Sequence, residues 1–298
     1  MKLRFWGTRG SIPTPGETTV RYGGNTPCVE VRLSPQHLII MDAGTGLRGL
    51  GEELIATGES VKSYIVITHP HWDHIQGFPF FKPAFISGNE FTIVGPESKQ
   101  VTLRQMISDL MNKVYFPIQL NELKAKINFH PVKEETIPVF DAQLRTCYVN
   151  HPAFAVGYRI DWQGQSVVYI SDNEPFDRGI AKQMKNVDKV IVEKYLESKG
   201  DPNQRIFDFA RGADILIHDT TYTPEEYVNY VGWGHSHYLF SLKVADEAKV
   251  KKLVLFHHHQ SRVDEKLDEI LETCRGEIKR RSYSFECIAA AEGMTLEW

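Results

Sequence analysis

Short apolar runs recur along the chain, and polar residues follow nearly every one of them. Leu3-Arg4-Phe5-Trp6 alternates and predicts a first strand, and Cys28 to Leu33 alternates again. Leu38-Ile39-Ile40-Met41 and Tyr64-Ile65-Val66-Ile67 are unbroken, short and largely β-branched, as in strands buried on both faces. The same reasoning predicts strands at Phe91 to Gly95, Leu144 to Val149, Phe154 to Ile160, Ser166 to Ile170, Val187 to Glu193, Asp214 to Asp219 and Lys252 to Phe256, with a closing strand from Phe285 to Trp298.

Helical spacing appears in fewer places. Leu103, Met106, Ile107, Leu110, Met111 and Val114 predict a helix ended by Phe116-Pro117. Its plain interpretation is an amphipathic helix packed on the core; a lid or a dimer surface is the alternative. Ile206, Phe209 and Ala210 suggest another helix. Ser236 is a good N-cap for one carrying Leu239, Leu242, Val244, Ala245 and Ala248. A last helix runs from Asp264 through Leu267, Ile270, Leu271 and Cys274 and is expected to stop at Gly276. No Pro/Ser-rich linker or repeat interrupts the pattern. One domain, 1–298, is expected, with a helical insertion at about 98–117.

Composition narrows the class. With 298 residues and 42% hydrophobic content, the chain can bury a full core. Its formal net charge of −4 disfavours long nucleic acid as a partner. Cys28, Cys147, Cys274 and Cys287 are scattered, without a Cys-x-x-Cys pair, and suit reduced, buried thiols. The start at Met1 carries no apolar leader, and no run is long enough to span a membrane. The expected location is the cytoplasm. A homodimer stays open.

The chemistry concentrates in Thr68-His69-Pro70-His71-Trp72-Asp73-His74-Ile75-Gln76-Gly77. Four potential metal ligands fall within six residues, on the loop leaving a predicted strand, where open α/β sheets place their sites. Imidazole with carboxylate suits zinc, manganese or iron better than calcium. Later runs end the same way: Asn150-His151, Ser171-Asp172-Asn173-Glu174 and His257-His258-His259 each follow a predicted strand.

The His-x-His-x-Asp-His motif, after a strand and before Gly77, resembles the metallo-β-lactamase fold of metal-dependent hydrolases. The opening Phe5-Trp6-Gly7-Thr8-Arg9-Gly10-Ser11, with Tyr22-Gly23-Gly24-Asn25-Thr26-Pro27, Asp42-Ala43-Gly44-Thr45-Gly46 and Gly234-His235-Ser236, resembles its RNase Z-like branch. That branch holds tRNA 3′-processing nucleases and small cyclic-phosphate phosphodiesterases. The resemblance implies an α/β fold, a four-layer αββα sandwich. It also implies two divalent ions, zinc and/or manganese, with iron as a further option. His69, His71 and His151 would hold one ion and Asp73, His74 and His257 the other, with Asp172 bridging. His235 would be the proton donor. Asp42, in its Asp-x-Gly turn beside this motif, is either a turn residue or the partner that orients a ligand histidine. Arg9 is a candidate phosphate clamp by charge and position.

A metal-bridging water loses a proton near neutral pH and becomes a nucleophile, Asp73 can accept its second proton, and His235 can protonate the leaving alkoxide. The expected activity is hydrolysis of a small phosphodiester, a cyclic nucleotide or cyclic phosphate. The chain lacks the long Gly/Pro-rich arm with which RNase Z grips tRNA. The alternatives are a tRNA 3′-processing endonuclease, a glyoxalase II-type thioesterase and a non-catalytic metal-bound sensor or binding protein.

Overall fold

The alternating N-terminal runs form an antiparallel meander of β1 (Lys2–Gly7), β2 (Cys28–Ser34) and β3 (His37–Met41). The computed structural model describes residues 1–98, 100–176 and 200–298. These group into two units, Met1–Lys133 with Ala291–Trp298, and Glu134–Ala290. Among the described residues, each unit holds one seven-stranded mixed sheet.

In the first unit the sheet turns parallel at β3. The strands β4 (Lys62–Val66), β5 (Glu90–Pro96) and β6 (Lys126–Val132) follow in parallel pairing, and β14 (Thr295–Glu297) lies antiparallel to β1. The helix α1 (Gly46–Ala56) had no counterpart in the sequence reading. Leu47, Leu50 and Leu54 do carry a helical stripe, but Gly46, Gly49 and Gly51 lower its propensity. Packing decides: these leucines join Leu38, Ile40, Ile65, Ile67, Phe91 and Ile93 in one buried cluster. Each such side chain is worth about 1.5–3 kcal/mol when fully buried. The alternate residues Ile39, Met41, Val66 and Val94 are buried as well, which explains the unbroken apolar runs.

The expected helix near 98–117 is α3 (Leu103–Leu110), preceded by the one-turn α2 (Trp72–Ile75). Leu103, Met106, Ile107 and Met111 sit in the same cluster, as an amphipathic helix on the core requires. It ends at Leu110, six residues before Phe116. Met111 leaves helical geometry, and the Tyr115 and Phe116 amides return to the Asn112 carbonyl.

The second unit repeats this grammar. Strands β7 (Thr136–Val139), β8 (Ala142–Tyr148), β9 (Val156–Trp162) and β10 (Gln165–Ile170) pair antiparallel, whereas β11 (Ile215–Asp219), β12 (Lys252–Phe256) and β13 (Glu286–Ala289) continue in parallel. The strand expected at 187–193 lies outside the described residues. The helices are α4 (Gln204–Ala210), α5 (Pro224–Tyr227), α6 (Tyr238–Glu247) and α7 (Asp264–Arg281). Strands β6 and β7, unpredicted, each contain a proline, tolerated because they are edge strands.

Three expectations need correction. Helix α7 passes through Gly276, which faces open space, and ends at Ser282 in left-handed geometry (φ 56°). The N-cap of α6 is His237, while the Ser236 hydroxyl is buried and donates to the Asn173 carbonyl. The single closing strand is two, β13 and β14, which pair in different sheets across a turn at Gly293.

Candidate active site

In both sheets the chemistry-bearing residues leave the C-terminal ends of the strands around the change from antiparallel to parallel pairing. In the first unit Asp42 follows β3 at φ 58°, a backbone state most L-residues avoid. Its Oδ1 accepts from the Thr68 amide (2.8 Å), and its Oδ2 lies 2.7 Å from His74 Nδ1. The Thr68 hydroxyl lies 3.1 Å from His69 Nδ1. The His69 ring centroid is 4.5 Å from that of His71 and 4.3 Å from that of His74. Asp73 Oδ2 accepts from the Ser11 amide (2.7 Å) and stands 3.3 Å from His74 Nε2. The loop closes tightly on the turn after β3: a Cβ on Gly77 would meet the Gly44 carbonyl at 1.9 Å.

In the second unit Asp219 ends β11, and Asp172 and His257 follow its parallel neighbours β10 and β12. Asp219 Oδ1 accepts from the Thr221 amide (2.9 Å) and hydroxyl (2.7 Å), and that hydroxyl lies 3.0 Å from His257 Nδ1. Like Asp42, His257 has φ 58°. Asp219 Oδ2 lies 3.0 Å from His235 Nδ1. His151 Nδ1 is 2.9 Å from the Gly234 carbonyl. Gly234 has φ 87°, and a Cβ there would reach within 2.3 Å of that nitrogen. Asp172, His235 and His257 offer donor atoms within 4.8 Å of one another.

The donor set fits divalent metal. His69 and His74 in the first unit, and His151 and His257 in the second, each have Nδ1 engaged by a hydroxyl, carboxylate or carbonyl. That fixes ring orientation and turns Nε2 to the other side, the usual arrangement of metal-ligating imidazoles.

Sequence reasoning passed over Asp219 and Glu174. Asp219 ends an apolar run just as Asp42 follows one, so the signal was present. Glu174 is buried and accepts from Tyr227 Oη (2.8 Å), the Gly232 amide (2.7 Å) and the Gly234 amide (2.9 Å). Burial raises its pKa despite these bonds. It holds the loop that presents His235. His237 is half-buried against Tyr227, with its pKa lowered by burial. Arg9 departs further from expectation. It is fully buried, and its guanidinium donates to the Gly23 carbonyl (2.9 Å). It braces the loop before β2.

Two mixed sheets whose strands end in histidines and carboxylates define an α/β metal-dependent hydrolase of metallo-β-lactamase type. Residues 37–200 match the Beta-lactamase superfamily domain, and the chain belongs to that family. Within it the chain is RNase Z-like. It is 26% identical over 314 residues to a Ribonuclease Z of Thermoplasma acidophilum, covering 94% of this chain and 92% of the relative. Human tRNase Z, short form, shares its fold with a TM-score of 0.64 and 19% identity, covering 100% of this chain and 99% of the other. A diphosphatase from the PhnP family matches at TM-score 0.61 and 19% identity, covering 100% and 97%. Among the described residues no helix is long and apolar enough to cross a membrane. All four cysteines are buried thiols outside any disulfide.

Proposed function

We propose that the chain is a binuclear metal-dependent phosphodiesterase that hydrolyses a small phosphodiester, a cyclic nucleotide or cyclic phosphate. The ligand set is the one the family resemblance implies: His69, His71 and His151 for one ion, Asp73, His74 and His257 for the other, and Asp172 shared. Zinc and manganese both suit these donors. When bound, such ions supply an activated water and neutralise charge on the phosphate oxygens.

The chain's own residues account for the proton transfers. Asp73, held by the Ser11 amide, is placed to accept a proton from the attacking water. The Asp219 carboxylate accepts from His235 Nδ1, which leaves Nε2 to pass a proton to the leaving oxygen.

That Asp219–His235 pair is the observation that carries the proposal. A thiolate leaves readily without a proton, so a thioesterase gains little from such a donor; an alkoxide needs one. The small substrate is supported by the net charge of −4 and the missing Gly/Pro-rich arm. The relatives named Ribonuclease Z keep tRNA 3′ processing as the second reading.

The test is metal analysis with a substrate panel: bis-p-nitrophenyl phosphate, 2′,3′-cyclic nucleotides, S-lactoylglutathione and precursor tRNA. Two ions per chain and preferential cleavage of the cyclic diesters are expected. Asp172→Ala should lose an ion and nearly all activity while staying folded. Efficient trimming of precursor tRNA would move the chain to the nuclease reading, and thioester cleavage alone would refute diester chemistry.

A further inference from the structure

Beside the metal loop, the first unit carries a groove of about 600 Å³. Trp72 and Ile75 of the loop line it, together with Val101, Asp109, Leu110 and Tyr115 of the α3 segment. Trp72 is 77% exposed and Tyr115 is 83% exposed, although rings of this size are normally well covered. The single turn of α2 explains the first of these. It buries Asp73 and His74 and leaves Trp72 outward, so the exposed ring belongs to the same helical turn as two candidate ligands.

The lining also excludes some occupants. Among the described residues the lining contains no lysine or arginine, and Asp109 is the one charged residue there. A channel that tracks a phosphate backbone needs cations along its wall. This groove suits a flat, uncharged ring, with Asp109 as an acceptor for an amino group on its edge. Its volume is that of a small-molecule site. The unit's larger cavity, about 990 Å³, is lined from the opposite ends of the strands, including Leu38 and Lys62, away from the metal loop.

We propose, building on the phosphodiesterase reading above, that this groove is a nucleobase subsite in which Trp72 and Tyr115 hold the base of a nucleotide substrate. The α3 segment then has two duties: its inner face fills the core, and its outer face forms a wall of the subsite.

The test compares two esters with the same reacting group, thymidine 5′-(p-nitrophenyl phosphate) and methyl p-nitrophenyl phosphate. The wild type should prefer the base-bearing ester in kcat/KM. Stacking on one aromatic is worth about ten- to hundredfold, so Trp72→Ala should cut that preference by about this factor, and Trp72→Phe should keep most of it. Tyr115→Ala, outside the metal loop, should cut it too, and it decides the question should Trp72→Ala release metal. No wild-type preference, or equal losses on both esters, would overturn the subsite. Calorimetry with adenosine 5′-monophosphate and ribose 5-phosphate separates this from the reaction itself. Tighter binding of the former, lost in Tyr115→Ala, supports the subsite even when neither ester is cleaved, an outcome that would sink only the phosphodiesterase reading. Equal binding of the two would count against the subsite.

Discussion

Asp42 and Asp219 do the same work in the two units. Each carboxylate accepts from the amide and hydroxyl of a threonine, Thr68 or Thr221, and sits against the Nδ1 of a histidine, His74 or His235. The roles differ by resemblance: His74 is a candidate ligand and His235 the candidate acid. His235→Ala tests the division. Loss of a general acid is worth about two to four powers of ten on a ribose-alkoxide diester, and a smaller loss is expected on bis-p-nitrophenyl phosphate, whose leaving group needs little protonation. Metal content should stay at the wild-type value. Equal losses on both substrates would show that His235 acts by positioning or charge. A lost ion would place it with Asp172 and His257 as a ligand. Asp219→Asn should give the same selectivity change in weaker form, because the ring keeps a hydrogen-bond partner but loses the charge that favours the imidazolium.

Among the elements, the loop from Gly232 to Ser236 depends most on one side chain. Glu174 binds two of its amides and the Tyr227 hydroxyl, while the Gly234 carbonyl faces His151. Removing the carboxylate orphans the buried Gly234 amide, at about 1–3 kcal/mol, and frees the two part-buried donors. Glu174→Ala should therefore lower thermal stability measurably and reduce kcat far more than KM. Amide exchange at Gly232 and Gly234 should accelerate. Unchanged exchange with unchanged kcat would mean that the loop is held by other contacts.

For the molecule as a whole, acid stability follows from carboxylates held below their ordinary values. Partial burial raises Asp214, but Lys251 Nζ and the Ser166 amide, each 2.7 Å away, outweigh it and bring its pKa below 3.8. Its folded pKa is depressed, so its contribution is complete above the unfolded value and fades as pH falls through the folded one. Asp214→Asn should cost about 1 kcal/mol in urea unfolding at pH 7. The gap to wild type should narrow below about pH 3.8. A gap independent of pH would mean that the loss is one of packing alone.

The strand runs and the cluster of histidines and carboxylate from His69 to His74 at a strand end were legible because each rests on local pattern. A buried strand needs consecutive apolar residues, and a metal loop needs its donors close together in the chain. Helix α1 was not legible, since its glycines weaken the helical signal and only contact with the sheet makes the segment helical. Gly276 misled for the converse reason: a helix packed along one face tolerates a glycine on its exposed side. Arg9 has the charge of a phosphate clamp, yet the fold buries it against a carbonyl. Asp219 and Glu174 acquire their roles from partners 16 to 60 residues away in the chain. Local sequence set the elements and the donor types. Long-range hydrogen bonding and burial decided which polar side chains reach the site and which brace it.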